Sequence, residues 1–200
     1  MKINVIKVTY DDLAHRACQF TLHSHSATSI PMRKLYGAEH SPIRTQMFWV
    51  ELEGIPSYVS THLVRHKIGV EHYVQTNRLD RGASFVADRN TSVNHAMFLN
   101  AQALINISRK RLCTNAEEVT RKVWEYVKKA VEEVDPDLAE FMVVDCDYRG
   151  LCYEPSCCGR APSYFDVSTH GATEDKVEDG GEEIGQGSIE ESDIEDTEGS

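Results

Sequence analysis

Apolar residues follow two different periods along this chain. They alternate with polar residues over positions 2–9 and 43–53, which is the pattern of a strand with one buried face. Positions 13–20 and 33–39 predict short helices. Positions 117–134 carry an amphipathic stripe, with Thr114 or Asn115 as its predicted N-cap, that ends at Asp135-Pro136. A further helix is predicted from Ser57, so the chain mixes strands and helices.

Residues 94–111 predict the best helix of the chain. Its apolar side chains lie nearly all round, so we expect the helix to be buried. Four polar residues interrupt the apolar surface: Asn100, Gln102, Asn106 and Arg111. Buried amides and guanidinium groups need hydrogen-bond partners. Hydrogen bonds between helices or an oligomer interface explain this pattern as well as ligand binding does.

Residues 62–81 hold the densest group of charged and polar side chains. Arg65, His66 and Lys67 directly follow an apolar run, and Arg78 lies after a stretch predicted as a polar loop. Arginine matches phosphate oxygens with two parallel donors, and lysine supplies a point charge. A basic stretch is most often a solvated face, but charge at the end of an ordered apolar element favours an anion-binding site.

Composition separates the end of the chain from the rest. Residues 171–200 contain twelve Asp or Glu residues and one Lys, so the formal charge of −11 belongs entirely to this end. Such a segment cannot bury enough apolar surface to fold, and residues 168–200 are therefore predicted to be a disordered acidic tail. The preceding part is neutral, which argues against nucleic-acid binding.

The cellular setting follows from what the sequence lacks. It has no apolar stretch long enough to span a membrane and no visible secretion signal. Six cysteines in such a chain predict reduced thiols and a cytoplasmic location. Cys146, Cys152, Cys157 and Cys158 are spaced more widely than the usual zinc-binding pairs. No metal site is therefore assigned, and unligated thiols are the expectation.

Two motifs resemble the flavin-dependent thymidylate synthases, the ThyX family. The first is Arg65-His66-Lys67 followed by Arg78, which is similar to the family signature that begins R-H-R and ends in Arg. The second runs from Asn100-Ala101-Gln102 through Asn106 to Arg111 and is similar to the family's helix that begins Asn-Ala-Arg. Residues 39–44 also resemble the family's His-Glu-Thr-Pro turn. The resemblance covers roughly residues 10–140.

The resemblance implies an α/β (α+β) fold in which helices pack on a central, mostly antiparallel sheet. Residues 1–167 would form the catalytic domain, including a cysteine-rich closing segment at 143–166. The implied activity is reductive methylation of dUMP to dTMP, with FAD as cofactor. NADPH would reduce the flavin, and 5,10-methylenetetrahydrofolate would supply the carbon. The family also implies a homotetramer whose sites are built from several subunits.

The family's residue roles fall on two sets of positions. The cofactor-binding set is Arg65, His66, Lys67, Ser41, Asn100 and Asn106. The substrate-binding set is Gln75, Thr76, Arg78, Arg89 and Arg111. Arg111 is also the candidate catalytic residue, because its donors would stabilise the charge that develops on the uracil ring.

The sequence departs from the family pattern near the expected position of the substrate base. Lys67 replaces the third basic residue, Gln102 replaces the helix Arg, and the interval from Arg65 to Arg78 is one residue longer. Two alternatives therefore stay open. One is a one-carbon transfer to another pyrimidine nucleotide, and the other is a non-catalytic relative that binds nucleotides or nucleic acid.

Overall fold

The computed structural model describes residues 1–23, 30–83 and 87–170, so most of the predicted tail lies outside the described residues. Its strands are β1 (Lys2–Lys7), β2 (Met47–Pro56), β3 (Val70–Val74) and β4 (Ser92–Asn100). Its helices are α1 (Asp11–Phe20), α2 (Met32–Gly37), α3 (Ser57–Leu63), α4 (Ala101–Arg111), α5 (Glu118–Val134), α6 (Pro136–Ala139), α7 (Asp145–Arg149) and α8 (Tyr164–His170). Short 3-10 turns span Ser41–Thr45 and Leu79–Arg81.

The four strands form one antiparallel sheet in the order β1-β2-β4-β3. Val5 pairs with Val50, Val50 with Met97, and Met97 with His72. Residues that pair directly across strands lie on the same face, so this row points towards the helices. The mixed fold with its antiparallel sheet is confirmed.

The predicted helix over 94–111 is wrong in its first half, which forms strand β4. The alternate residues Val93, His95, Met97 and Leu99 are all buried, the period of a strand that packs on one face. Hydrogen bonds to β2 on one side and β3 on the other override the helical pattern. Asn100 is consequently the N-cap of α4, where its Oδ1 accepts from the Ala103 amide at 2.9 Å.

Three smaller boundaries also differ from the sequence prediction. The strand expected over 43–53 begins only at Met47, because Ser41–Thr45 forms a 3-10 turn. Helix α5 is capped by Glu117, whose carboxylate accepts from the Val119 and Thr120 amides, and not by Thr114 or Asn115. Strand β3 lies inside the basic segment, where only a polar loop was predicted.

The core lies between the sheet and helices α4 and α5. Val123, Val127 and Val131 give α5 its buried stripe, and Trp124 is fully buried beside them. The indole of Trp124 donates to the Ser108 hydroxyl of α4 at 2.9 Å. Each fully buried aliphatic side chain stabilises the fold by about 1.5–3 kcal/mol. Helix α4 is therefore held in the core, which fixes the positions of the polar side chains at its surface. Among the described residues, no helix is both long and apolar enough to cross a membrane.

Candidate functional site

Residues 65–67, here called the basic turn, connect the end of α3 to the start of β3. Helix α3 is fixed against the sheet through the buried residues Val59 and Leu63. Helix α4 also holds the turn, because Arg111 Nε donates to His66 Nε2 at 2.9 Å and Arg111 Nη2 donates to the His62 carbonyl at 2.7 Å. The basic segment and the polar helix, which were predicted to meet, are therefore in direct contact.

Two adjoining clefts open where the basic turn meets α4. The basic cleft, about 270 Å³, is lined by Arg65, His66, Lys67, Ile68, Ala103, Asn106 and Ile107. The amide cleft, about 450 Å³, is lined by Glu39, Arg44, Ile68, Gly69, Asn100, Gln102, Ala103 and Asn106. Five of the six predicted cofactor residues line these clefts. The sixth, Ser41, lies on the 3-10 turn whose Arg44 lines the amide cleft.

Gly69 lets the chain pass very close to Asn100. Its φ of +72° is in the left-handed region, and a Cβ placed on it would lie 2.6 Å from Asn100 Nδ2. The backbone N–H of Asn100 also donates to the Gly69 carbonyl at 3.1 Å. Glycine is required here for both reasons, and it keeps the Asn100 side chain at the wall of the amide cleft. The sequence analysis missed Gly69 and Arg44.

The clefts carry net positive charge. Among the described lining residues, Glu39 is the only carboxylate, and it forms an ion pair with Arg109 and accepts from Gln102 at 2.5 Å. Burial opposes ionisation of Glu39, but the hydrogen bonds from Arg109 and Gln102 outweigh it and lower the pKa. The charges of Arg44, Arg65 and Lys67 are therefore left to attract an anion.

His66 is neutral at physiological pH. Burial, with the nearby positive charge of Arg111 and with His72, lowers the pKa of His66 to about 4. Because its Nε2 accepts from Arg111, the hydrogen-bond network places the ring proton on Nδ1. The basic turn thus offers a neutral N–H donor between two cationic side chains.

A chain of hydrogen bonds supports the basic turn from inside the sheet. His72 Nε2 donates to the His66 carbonyl at 2.7 Å, so its Nδ1 accepts from His95 Nε2 at 3.0 Å. His95 Nδ1 then accepts from the Ser60 hydroxyl at 3.1 Å. Burial, with His72 beside it, lowers the pKa of His95 to about 4. The sequence did not identify Ser60, His72 and His95 as residues that support the site. His95 can be recognised as a buried polar residue only when residues 92–100 are known to form a strand.

Three predicted substrate residues lie at the other end of β3 and β4. Gln75 Oε1 accepts from the Asn94 amide at 2.9 Å, and the Thr76 hydroxyl accepts from the Arg78 amide at 3.2 Å. The exposed Arg78 guanidinium donates to Asp80 at 2.9 and 2.5 Å. Asn94 and Asn100 are six positions apart on strand β4, which is about 20 Å. Within one chain, these three substrate residues are therefore distant from the two clefts.

Arg89 is also separate from the basic turn. Its guanidinium lies 5.1 Å above the ring of Tyr58, in the first turn of α3. The basic turn follows the opposite end of that helix, about 10 Å away. Among the predicted substrate residues, Arg111 alone contacts the basic turn. The roles of all five in substrate binding stay predictions.

Comparison with known proteins shows the fold. No family model and no curated protein matches the sequence. The flavin-dependent thymidylate synthase ThyX from Helicobacter pylori, complexed with FAD and dUMP, matches at 15% identity with a TM-score of 0.57, over 70% of this chain and 99% of that chain. A second structure of that enzyme with FAD and dUMP matches at 15% identity and a TM-score of 0.56, over 72% and 99%.

A methylase of another kind has a similar structure. The UMP/dUMP methylase PolB from Streptomyces cacaoi, bound with 5-Br dUMP, matches at 15% identity with a TM-score of 0.54, over 70% of this chain and 94% of that chain. Fold similarity at such low identity does not carry function with it. The chain therefore has a ThyX-like fold, and its activity is argued below from its own residues.

Proposed function

We propose that this chain is a flavin-dependent methyltransferase that acts on a pyrimidine nucleotide, with dUMP as the first candidate substrate. The observation that supports this most strongly is the contact between the basic turn and α4 around the two clefts. Fold similarity alone would be an analogy. The proposal rests on residues that were selected from the sequence and lie together in the structure. On this proposal, residues 1–167 form the catalytic domain.

The two clefts suit FAD in their charge and in their hydrogen-bonding groups. Arg44, Arg65 and Lys67 supply cationic donors for a pyrophosphate. Asn100 and Asn106 supply amide groups that can donate to and accept from the edge of a flat heterocycle. Gly69 lets the backbone lie close to the Asn100 side chain, since any Cβ there would overlap Asn100. On this proposal Ser41 contacts the cofactor from the neighbouring 3-10 turn.

The tasks of the protein are binding and orientation, because the cofactor carries the difficult chemistry. When bound in these clefts, flavin reduced by NADPH would supply a hydride, and methylenetetrahydrofolate would supply the carbon. Arg111 fixes the basic turn through His66 and the His62 carbonyl. The neutral His66 and the cationic side chains beside it stabilise negative charge that develops at the site. On this proposal Arg111 acts through His66, and it contacts the pyrimidine only where a substrate reaches one of its remaining N–H donors.

A second copy of the chain explains the remote substrate residues. Gln75, Thr76 and Arg78 lie about 20 Å along β4 from the clefts of their own chain, so on this proposal they complete the site of a neighbour. The outer sheet face supplies a surface for such an assembly. Trp49, Tyr73 and Phe98 pack together there with ring centroids 5.5 and 6.5 Å apart, and Tyr73 is 55% exposed. We propose a homotetramer, which light scattering of the purified protein tests.

One observation favours a second candidate substrate. Gln102 stands where the family signature has Arg, and it is bonded to Glu39 and Asn106 inside the amide cleft. The loss of that charge changes which heterocycle edge the site selects. One-carbon transfer to another pyrimidine nucleotide, such as dCMP or UMP, is therefore the alternative.

The test is an assay that identifies the product by mass. Purified protein is incubated with FAD, NADPH and methylenetetrahydrofolate, together with dUMP, UMP or dCMP in separate reactions. We expect dUMP to gain one methyl group, and omission of NADPH or of the folate to abolish the product. A methylated UMP or dCMP would select the alternative substrate. Tight nucleotide binding without any product would identify a non-catalytic relative and contradict the proposal.

A further inference from the structure

Four of the six cysteines of this chain line one small cavity. Cys113 follows α4, Cys146 lies in α7, and Cys152 and Cys158 belong to the irregular segment between α7 and α8. Cys157 is adjacent to Cys158 in sequence and lies close enough to Cys152 to affect its ionisation. Thiols more than thirty positions apart in the sequence are thus gathered at one place.

The cavity has the size of a single ion. Its free volume is about 20 Å³, which is room for one water molecule or one metal ion. Cys152 is only 5% exposed, and Cys113 and Cys146 are half-buried. The cysteine-lined cavity is separate from the two clefts, with which it shares no lining residue.

The surrounding segment buries very little apolar surface, although ion pairs such as Lys110–Glu154 and Arg160–Asp147 tie it to the rest of the chain. Among residues 150–167, which are all described, Cys152 is the only buried one. The backbone between α7 and α8 makes a single β-bridge, from Cys152 to Ser163. A segment without its own apolar core is commonly held by disulfides or by a structural metal. All six cysteines are free thiols here.

We propose that Cys113, Cys146, Cys152 and one of the adjacent pair Cys157 and Cys158 bind a structural Zn²⁺ ion. Four thiolates in a tetrahedral arrangement are a common set of ligands for a structural Zn²⁺ ion. Among the described residues, no three ligand side chains already stand in coordinating geometry. Binding therefore requires the thiols to rotate towards the cavity centre, and each ligand loses its proton as it binds.

Charged side chains of both signs line the cavity. Arg109 and Arg160 lie there together with Asp145 and Glu154, so these lining side chains carry no net charge. Four thiolates around one Zn²⁺ would carry two net negative charges, and the two guanidinium groups supply positive charge beside them.

The bound ion would brace the wall of the amide cleft. Tyr148 of α7 stacks on the guanidinium of Arg109, with 3.6 Å from the Arg109 Cζ to the ring centroid. Arg109 in turn forms the ion pair with Glu39, which lines the amide cleft. Zinc would thus fix α7 against α4. The zinc site itself does not depend on the proposed enzymatic activity.

The experiment measures the metal bound to the purified full-length protein. Elemental analysis of protein prepared under reducing conditions should find about one zinc ion per chain. A thiol-reactive mercurial should release that zinc, as detected with a colorimetric chelator. Replacement by Co²⁺ should give the intense sulfur-to-cobalt absorption of a thiolate site. All three measurements use the natural chain, so none of them depends on whether a variant folds.

Variants then assign the ligands. Cys146→Ser and Cys152→Ser should each lower the zinc content at least about tenfold. The matched control is Cys18→Ser in α1, which removes the one cysteine outside the cluster and should keep a full complement of zinc. Cys157→Ser and Cys158→Ser are made separately, and the one that loses zinc supplies the fourth ligand.

Three results obtained with the natural chain would overturn the proposal. The first is metal-free protein that, with its cysteines reduced, takes up neither Zn²⁺ nor Co²⁺ when it is titrated with these ions. The second is a disulfide among these cysteines in protein that was alkylated before unfolding. The third is bound iron in place of zinc. Zinc that remains in Cys146→Ser and Cys152→Ser would equally remove these residues as ligands. Because every readout is metal content, the result is independent of the methyltransferase assay.

Discussion

The guanidinium of Arg111 donates through Nε to Nε2 of His66 at 2.9 Å. This bond joins the last turn of α4 to the basic turn, and the second bond from Arg111 to the His62 carbonyl closes a two-point clamp. Arg111 was predicted from the sequence as a residue that contacts the substrate base. Within one chain its first role is to hold the residues that line the basic cleft.

Arg111→Lys should loosen the basic turn. Lysine keeps the charge but cannot make two bonds with the fixed geometry of a guanidinium. We expect the free energy of unfolding to fall by about 1–3 kcal/mol and the flavin content per chain to fall with it. Urea denaturation and visible absorbance measure the two effects. Lys122→Ala, which removes an exposed partner of Glu118, is the control and should change neither. Unchanged stability and flavin content in Arg111→Lys would show that the clamp is dispensable.

Gly69→Ala should damage the amide cleft. The added methyl group lies 2.6 Å from Asn100 Nδ2, so Asn100 must move. Gly82→Ala is a matched control, because Gly82 also has a positive φ, +94°, but a Cβ there meets nothing within 4 Å. Both variants should lose about 1 kcal/mol from backbone strain. Only Gly69→Ala should lose flavin as well, and equal flavin content in the two variants would count against the cleft.

Stability should fall in mild acid because two histidines are held neutral. Burial lowers the pKa of His66 and of His95 to about 4, whereas unfolded histidine titrates near 6.5. Between these values the unfolded state binds more protons, so their contribution is full above pH 6.5 and is lost as the pH falls towards 4. Urea midpoints at about pH 7, 6 and 5 measure the slope.

The variant His95→Gln isolates one of these two groups. Its proton uptake on unfolding between about pH 6.5 and 5 should be smaller than that of the natural chain, because His66 and His62, whose pKa is also lowered, still titrate. Its stability at neutral pH should also be lower, since Ser60 and His72 each lose a partner. A pH slope equal to that of the natural chain would show that His95 does not titrate in this range.

Arg78→Ala should weaken nucleotide binding and leave the flavin bound. Arg78 lies on the exposed far end of the sheet, away from the cofactor clefts, and is paired with Asp80. Titration calorimetry with dUMP on flavin-loaded protein should show at least about tenfold lower affinity. Asp80→Asn releases the guanidinium from its own carboxylate and should bind dUMP at least as well as the natural chain. If Arg78→Ala lost flavin but kept its affinity for dUMP, Arg78 would be a cofactor-binding residue and not a nucleotide-binding one.

Much of the architecture follows from local sequence pattern. The strand at residues 2–7 and the helix ended by Asp135-Pro136 were predicted from periodicity and caps. Residues 94–100 were not, because His95 and Asn100 interrupt a run whose apolar residues suit a helix as well as a strand. Pairing with β2 and β3 decides between them, and that information lies far away in the sequence.

The candidate site also contains residues that the sequence predicted and residues whose roles depend on distant strand pairing. Arg65, His66, Asn100 and Asn106 were selected from the resemblance of two motifs, and they line the clefts together. Gly69 and the hydrogen-bonded pair His72 and His95 could not be selected, because their roles depend on cross-strand register. Strand β3 also separates Arg78 from the basic turn, although the two look close in sequence.

The central claim is that the two clefts bind flavin, and the most direct measurement is a titration of the purified protein with FAD. Lys67→Ala removes a cation of the basic cleft, and Lys129→Ala removes the same charge from the exposed side of α5. We expect the natural chain and Lys129→Ala to bind FAD equally and to develop its yellow absorbance. Lys67→Ala should bind at least about tenfold more weakly. A natural chain that binds no FAD, or a Lys67→Ala variant that binds it as well as Lys129→Ala, would contradict the account.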